Sequence, residues 1–87
     1  MEIKYSDKSA KQIKRIAKGD LKSARMIVNE IERYVEQPTG KFDIKFLKGK
    51  YGLFKRLRVG NYRVIFDSEN YVMYIYEVLH RQEAFNG

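Results

Sequence analysis

The apolar positions of this chain change period part-way along, and the change divides it into a helical half and a sheet half. At the N-terminus Ile3 and Tyr5 alternate with Glu2, Lys4 and Ser6, the period of a short strand with one face buried. Then Ala10, Ile13, Ile16 and Ala17 recur at helical spacing, with Lys11, Lys14, Arg15 and Lys18 on the opposite face. Ser6 or Asp7 can cap this helix, because a short side-chain oxygen accepts from the free amides of the first turn. Gly19 closes the helix and Asp20 can cap the next, whose stripe runs through Leu21, Ala24, Ile27, Val28, Ile31, Tyr34 and Val35. Gln37-Pro38-Thr39-Gly40 ends it, since proline lacks an amide hydrogen and disfavours helical geometry in the residue before it.

From Ile44 onward the period shortens. Ile44–Leu47 can form a brief strand ahead of Lys48-Gly49-Lys50-Tyr51-Gly52. Leu53–Val59 and Tyr62–Asp67 flank Gly60-Asn61, a pair suited to the positive φ angles of a tight hairpin. Ser68-Glu69-Asn70 supplies the next turn, and Tyr71–Leu79 reads as a last, rather apolar strand. The predicted order is β-α-α-β-β-β, an α+β fold. It consists of an N-terminal strand, a helical hairpin and an antiparallel three-stranded meander that the helices cover on one face. The 87 residues make one expected domain, 1–87, with no repeat.

Charge changes this picture. The net charge is +7, and it is unevenly spread. Residues 41–63 carry eight basic side chains and one acid, Asp43, while residues 64–87 carry Arg81 against Asp67, Glu69, Glu77 and Glu83. A basic excess of this kind points to a polyanionic partner. The cluster lies in strand-like sequence and not on an amphipathic helix, which disfavours a membrane surface. The N-terminus MEIKYSDKSA has no apolar signal core, and no apolar run approaches the roughly 20 residues of a membrane span, so a cytoplasmic location is expected. One His and no Cys make no zinc site, and Gly49-Lys50-Tyr51-Gly52 lacks P-loop spacing; no metal or other cofactor is expected.

Alternation puts Phe54, Arg56 and Arg58 on one face of their strand and Leu53, Lys55, Leu57 and Val59 on the other. Lys55 fits the apolar face badly, which predicts a bulge near Lys55-Arg56. Arg63, just past the turn, comes within cross-strand reach of Arg56 and Arg58. Two readings of these charges stand open: a phosphate clamp, because guanidinium forks match phosphate oxygens, or a solvated face neutralised by the acidic C-terminal third. His80-Arg81 at the end of the last strand adds a group that exchanges protons near neutrality beside another cation. Cleavage of RNA is chemistry such a set can perform, with cations on the phosphoryl oxygens and an acid at the leaving 5′-oxygen. Tyr62, Tyr71, Tyr74 and Tyr76 read as core and sheet packing, and Tyr51 as a stacking candidate.

Leu47-Lys48-Gly49, Gly52-Leu53-Phe54, the run Arg56-Leu57-Arg58-Val59-Gly60-Asn61-Tyr62-Arg63-Val64-Ile65-Phe66 and the tail His80-Arg81-Gln82-Glu83-Ala84-Phe85 together resemble the RelE/ParE superfamily of type II toxins. The resemblance spans nearly the whole chain, element order included. It implies a toxin blocked by a RelB-like antitoxin in a hetero-oligomer. In the RelE branch it also implies a ribosome-dependent endoribonuclease that cuts mRNA in the A site without a metal. Carried over to this sequence, the expected catalytic residues are Arg56, Arg58, Arg63 and Arg81, to which the residue's own chemistry adds His80 as candidate general acid. The expected RNA-binding residues are Lys48, Lys50, Tyr51, Lys55 and Phe85. Phe85 stands where the RelE branch often carries Tyr, and it can stack on a base but cannot exchange a proton. The ParE branch, which inhibits DNA gyrase, is the alternative, and a non-catalytic nucleic-acid-binding domain is a third. For the antitoxin, the apolar stripe of the Leu21–Val35 helix and the basic sheet face are the expected landing sites.

Overall fold

Ser6 and Asp20 begin the two helices as their chemistry directs. The Ser6 hydroxyl oxygen accepts from the Ser9 amide at 3.0 Å, opening α1 (Asp7–Gly19). The Asp20 carboxylate accepts from the Ser23 amide at 3.1 Å and from its hydroxyl at 2.6 Å, opening α2 (Leu21–Glu36). Asp20, with φ −155° and ψ 79°, is the one-residue break between the helices. The structure, a computed structural model, describes residues 1–47 and 54–83. Its strands are β1 (Glu2–Tyr5), β2 (Ile44–Phe46), β3 (Lys55–Val59), β4 (Tyr62–Glu69) and β5 (Val72–His80).

All five strands form one sheet in the order β1-β5-β4-β3-β2. β2 to β5 make an antiparallel meander, and β1 joins β5 in parallel. The α+β class holds, with two refinements: the short Ile44–Phe46 segment pairs as a fourth meander strand, and the sheet is mixed. The chain leaves β1, lays both helices across one face, re-enters at the far edge and returns by hairpins until β5 lies beside β1.

The helices cover the face made by Leu57, Val59, Val64, Phe66, Met73, Ile75 and Val78, against which Ile27, Ile31 and Tyr34 of α2 pack. Tyr34 sits edge-on to Phe66 at 5.3 Å between ring centroids, a favourable aromatic arrangement. Ala24, Ile27, Ile31 and Tyr34 of the α2 stripe are therefore buried within the chain's own core, and of the landing site that the sequence suggested only Leu21, at the start of the helix, stays exposed. α1 covers the part of β5 that β1 does not reach. There the hydroxyls of Ser9 and Ser6 donate to the carbonyls of Ile75 (3.2 Å) and Tyr76 (2.7 Å), and Gln12 Oε1 accepts from the Val78 amide at 2.6 Å. These bonds satisfy main-chain groups that a missing neighbour strand would leave unpaired.

Three local expectations are corrected. The register shift lies between Ile65 and Phe66, where β5 passes from Glu77 to Ile75 and carries Tyr76 as the extra residue; β3 is regular. Lys55 stays in register opposite Phe66 because its ammonium finds partners, donating to the Ser68 hydroxyl at 3.1 Å and lying over the Phe46 and Phe66 rings. The last turn is Asn70-Tyr71, both at positive φ (51° and 62°), and β4 runs on to Glu69. The Gly60-Asn61 hairpin forms as expected, with positive φ only at Gly60 (57°), the pattern of a type II′ turn.

Candidate active site

The register that buries Leu57 opposite Val64 places Arg58 directly opposite Arg63 on the other face of the sheet. Arg56 stands beside them, opposite Ile65 on one side and Lys45 on the other. Arg81 joins from the end of β5, where its amide donates to the Asn61 carbonyl at 2.7 Å and ties it to the β3–β4 hairpin. This open face also has an apolar floor: Ile65 is buried, and Phe54 stacks on Tyr76 at 4.6 Å.

The arginines differ in how they are held. Arg56 is largely sequestered, with 13% of its side chain exposed, and its Nη2 donates to Asp43 Oδ1 at 2.8 Å. Its Nε is buried and has no hydrogen-bond partner among the described residues. Arg58 is 55% exposed and reaches Asp43 Oδ2 only at 3.8 Å. Arg63 Nη1 donates to the carbonyls of Gly60 (3.1 Å) and Tyr62 (3.0 Å), with no carboxylate in ion-pair range among the described residues. Its guanidinium is held below the ordinary arginine range, first by desolvation, then by the fields of Arg58 and Arg56, and also by Arg81, with Asp43 opposing. A cation held down by its neighbours in this way favours any anion that arrives beside it. A phosphate can accept two parallel N–H bonds from a guanidinium and relieve the repulsion at once.

The chain matches the family model for the ParE toxin of the type II toxin–antitoxin system parDE over residues 3–85. It belongs to that toxin family. Toxin RelE3 of Methanocaldococcus jannaschii is 28% identical over 86 residues, covering 99% of this chain and 97% of that protein. Among solved structures, the YoeB/ParE toxin from Agrobacterium tumefaciens superposes with a TM-score of 0.77 at 13% identity, over 92% of this chain and 98% of that one. The RelB–RelE antitoxin–toxin complex from Methanococcus jannaschii contains a chain 28% identical, with a TM-score of 0.63, over 90% of this chain and 89% of its own. The chain is thus a RelE/ParE-superfamily toxin with the fold of its relatives.

In this ParE-family chain the expected catalytic set separates. Arg56, Arg58 and Arg63 share one face of the sheet, and the charge of Arg81 reaches Arg63. His80 does not join them. It pairs with Tyr62, meets the Tyr62 ring edge-on at 5.3 Å and lines a cleft of about 390 Å³ on the helix side with Gln12, Arg15 and Asp20. Its Nδ1 accepts from the Gln82 amide at 3.2 Å. Residue 80 is an even step from Val78 and so faces the core side, whereas Arg63 faces the open side opposite Leu79. Lys55 is likewise on the helix side and not beside the arginines. Lys48, Lys50, Tyr51 and Phe85 lie outside the described residues. Tyr71 packs against little, being 85% exposed at its turn.

Asp43 was missed by sequence reasoning as a site residue. Its signal was its isolation, as the one acid within the basic stretch. Among the described residues no group of His, Cys, Asp and Glu side chains is arranged as metal ligands, and no helix is long and apolar enough to cross a membrane.

Proposed function

We propose that this toxin is a ribosome-dependent endoribonuclease that cleaves mRNA in the A site and so arrests translation in the cytoplasm. The observation that carries this reading is the convergence of Arg56, Arg58 and Arg81 on Arg63, four guanidinium groups with, among the described residues, the one carboxylate of Asp43 between them. The near full-length similarity to a toxin named RelE supports it. In the reaction the 2′-oxygen attacks its own phosphorus as its proton leaves. The bond to the 5′-oxygen breaks, giving a cyclic phosphate and a 5′-hydroxyl once that oxygen is protonated. Arg58, Arg63 and Arg81 stabilise the charge that grows on the phosphoryl oxygens, and Arg56 supports them from below; one such donor is worth about 10²–10³ in rate. His80, on the other face, is given no part in the proton transfers.

A second reading, inhibition of DNA gyrase, is favoured by the matched family model being that of ParE. Mapping mRNA 5′ ends after brief induction separates the two. Cuts inside translated codons that disappear with Arg63→Ala/Arg81→Ala are the expected result; intact messages with a DNA-damage response would overturn it.

We further propose an antitoxin partner, as in the RelB–RelE complex and the YoeB–YefM complex of Staphylococcus aureus. The basic sheet face is its landing site, an attractive surface for an acidic segment that folds on binding.

A further inference from the structure

We propose that Asp43 is an internal counter-anion whose outer oxygen stands where a phosphate oxygen would meet Arg58, and that an incoming phosphodiester displaces that oxygen while the inner oxygen keeps hold of Arg56. The inference rests on the reading that this face receives a phosphodiester.

The two ends of the Asp43 carboxylate are unlike. Oδ1 makes a short, charge-assisted bond of 2.8 Å to Arg56, whose side chain is 13% exposed. Oδ2 stands 3.8 Å from Arg58 Nη1, beyond hydrogen-bond length, with the two side chains 51% and 55% exposed. An exposed ion pair at this distance is worth little, because water and salt screen it. The inner bond is hard to break, since it would leave a sequestered guanidinium whose Nε already lacks a partner. The main chain holds the carboxylate in place: the Arg58 amide donates to the Asp43 carbonyl at 2.9 Å, extending the β2–β3 ladder by one residue. The side chain of residue 43 thus falls on the same face as Lys45 and the arginines.

A carboxylate offers two oxygens to the two guanidinium groups, and a phosphodiester offers two non-bridging oxygens in a similar span. Asp43 therefore does two things. It lowers the repulsion among Arg56, Arg58 and Arg63 while the site is empty. It also competes with the ligand for Arg58, so the apo cluster binds stray anions more weakly than its charge suggests.

The experiment is an inorganic phosphate titration of the whole chain, wild type against Asp43→Asn, at low ionic strength. Asparagine keeps the shape and the acceptor for Arg56 but removes the competing charge. The dissociation constant should fall by roughly three- to tenfold, the scale of one unit charge about 4 Å away in a high-dielectric setting. The gain should vanish in an Arg58→Gln background. An affinity that is unchanged or weaker in Asp43→Asn would overturn the proposal, because a purely structural Asp43 predicts loss.

A wild-type measurement needs no variant to fold. In a phosphate titration followed by NMR, the Asp43 side-chain carboxyl carbon should move with the same midpoint as the Arg58 and Arg63 guanidinium signals. An unmoved Asp43 signal while those arginines shift would sink the idea. Neither measurement uses ribosomes or cleavage. Intact messages with tighter phosphate binding by Asp43→Asn would reject the nuclease alone, and cleaved messages without that gain would reject this inference alone.

Discussion

The two faces of the β3–β4 hairpin are built from neighbouring residues and obey opposite physics. Inward, Leu57 and Val64 pair and are both fully buried. One position along, Arg58 and Arg63 pair outward as like charges. A directly opposed pair of like charges costs up to about 1 kcal/mol, whereas burying one large aliphatic side chain contributes about 1.5–3 kcal/mol. The inner face therefore decides the register, and the outer face accepts its consequence. A slip of β3 by one residue would send Arg58 into the core and expose Leu57, and a slip of β4 would do the same to Arg63 and Val64. Packing on one side is what holds the cations together on the other.

The comparison is broken most severely from the inside. Phe66 is fully buried beneath Tyr34, and Phe66→Ala should cost about 3–5 kcal/mol, a large share of a small domain's stability. Denaturant unfolding would show the midpoint collapse, and a loss under 1 kcal/mol would mean that the inner face does not govern the register.

Next comes the outer face, where stability and activity should part. On the proposed nuclease function, Arg63→Gln should lower cleavage by about 10²–10³-fold yet melt no lower than wild type. The sign follows from its environment: a cation held below its ordinary range is disfavoured by folding, so removing the charge relieves the folded state. Any gain in melting temperature should fade as salt is added. A variant that unfolded would show that Arg63 supports the sheet and not the site.

The smallest effect lies at the start of α2, away from both faces. Hydrogen bonds from Ser23 hold Asp20 below the ordinary carboxylate value of 3.8. Its capping contribution is therefore full above that value and lost as pH falls through the lower folded one. Wild type should be more stable than Asp20→Ala near neutral pH, and the two melting curves should converge in strong acid. A gap that persisted there would assign the difference to helix propensity and not to the charged cap.

Much of the fold was legible because periodicity reports faces directly. The stripe of α2, the caps at Ser6 and Asp20, the Gly60-Asn61 hairpin and the shared side of Arg56, Arg58 and Arg63 all followed from spacing and local chemistry. The misreadings came where a side chain escapes its face's general rule, as at Lys55, or where neighbours in sequence are taken for neighbours in space, as at His80. Lys55 sits on the apolar side without a bulge because Ser68 and two aromatic rings receive its ammonium. His80 looked like a neighbour of Arg81, but adjacent residues on a strand point to opposite faces, and its ring went to the helix side.

The sequence by itself determined the helices, the main apolar stripe of each element and which arginines share a strand face, because those depend on a period of two or 3.6 and on residue type. Only the tertiary structure decided that β1 lies parallel to β5, that Arg81 comes back to Arg63, and that Asp43 reaches across to Arg56 and Arg58. Those relations join residues far apart in the chain. They are set by how the helices cover one face and by the order in which hairpins return across the sheet, and no local spacing encodes that order.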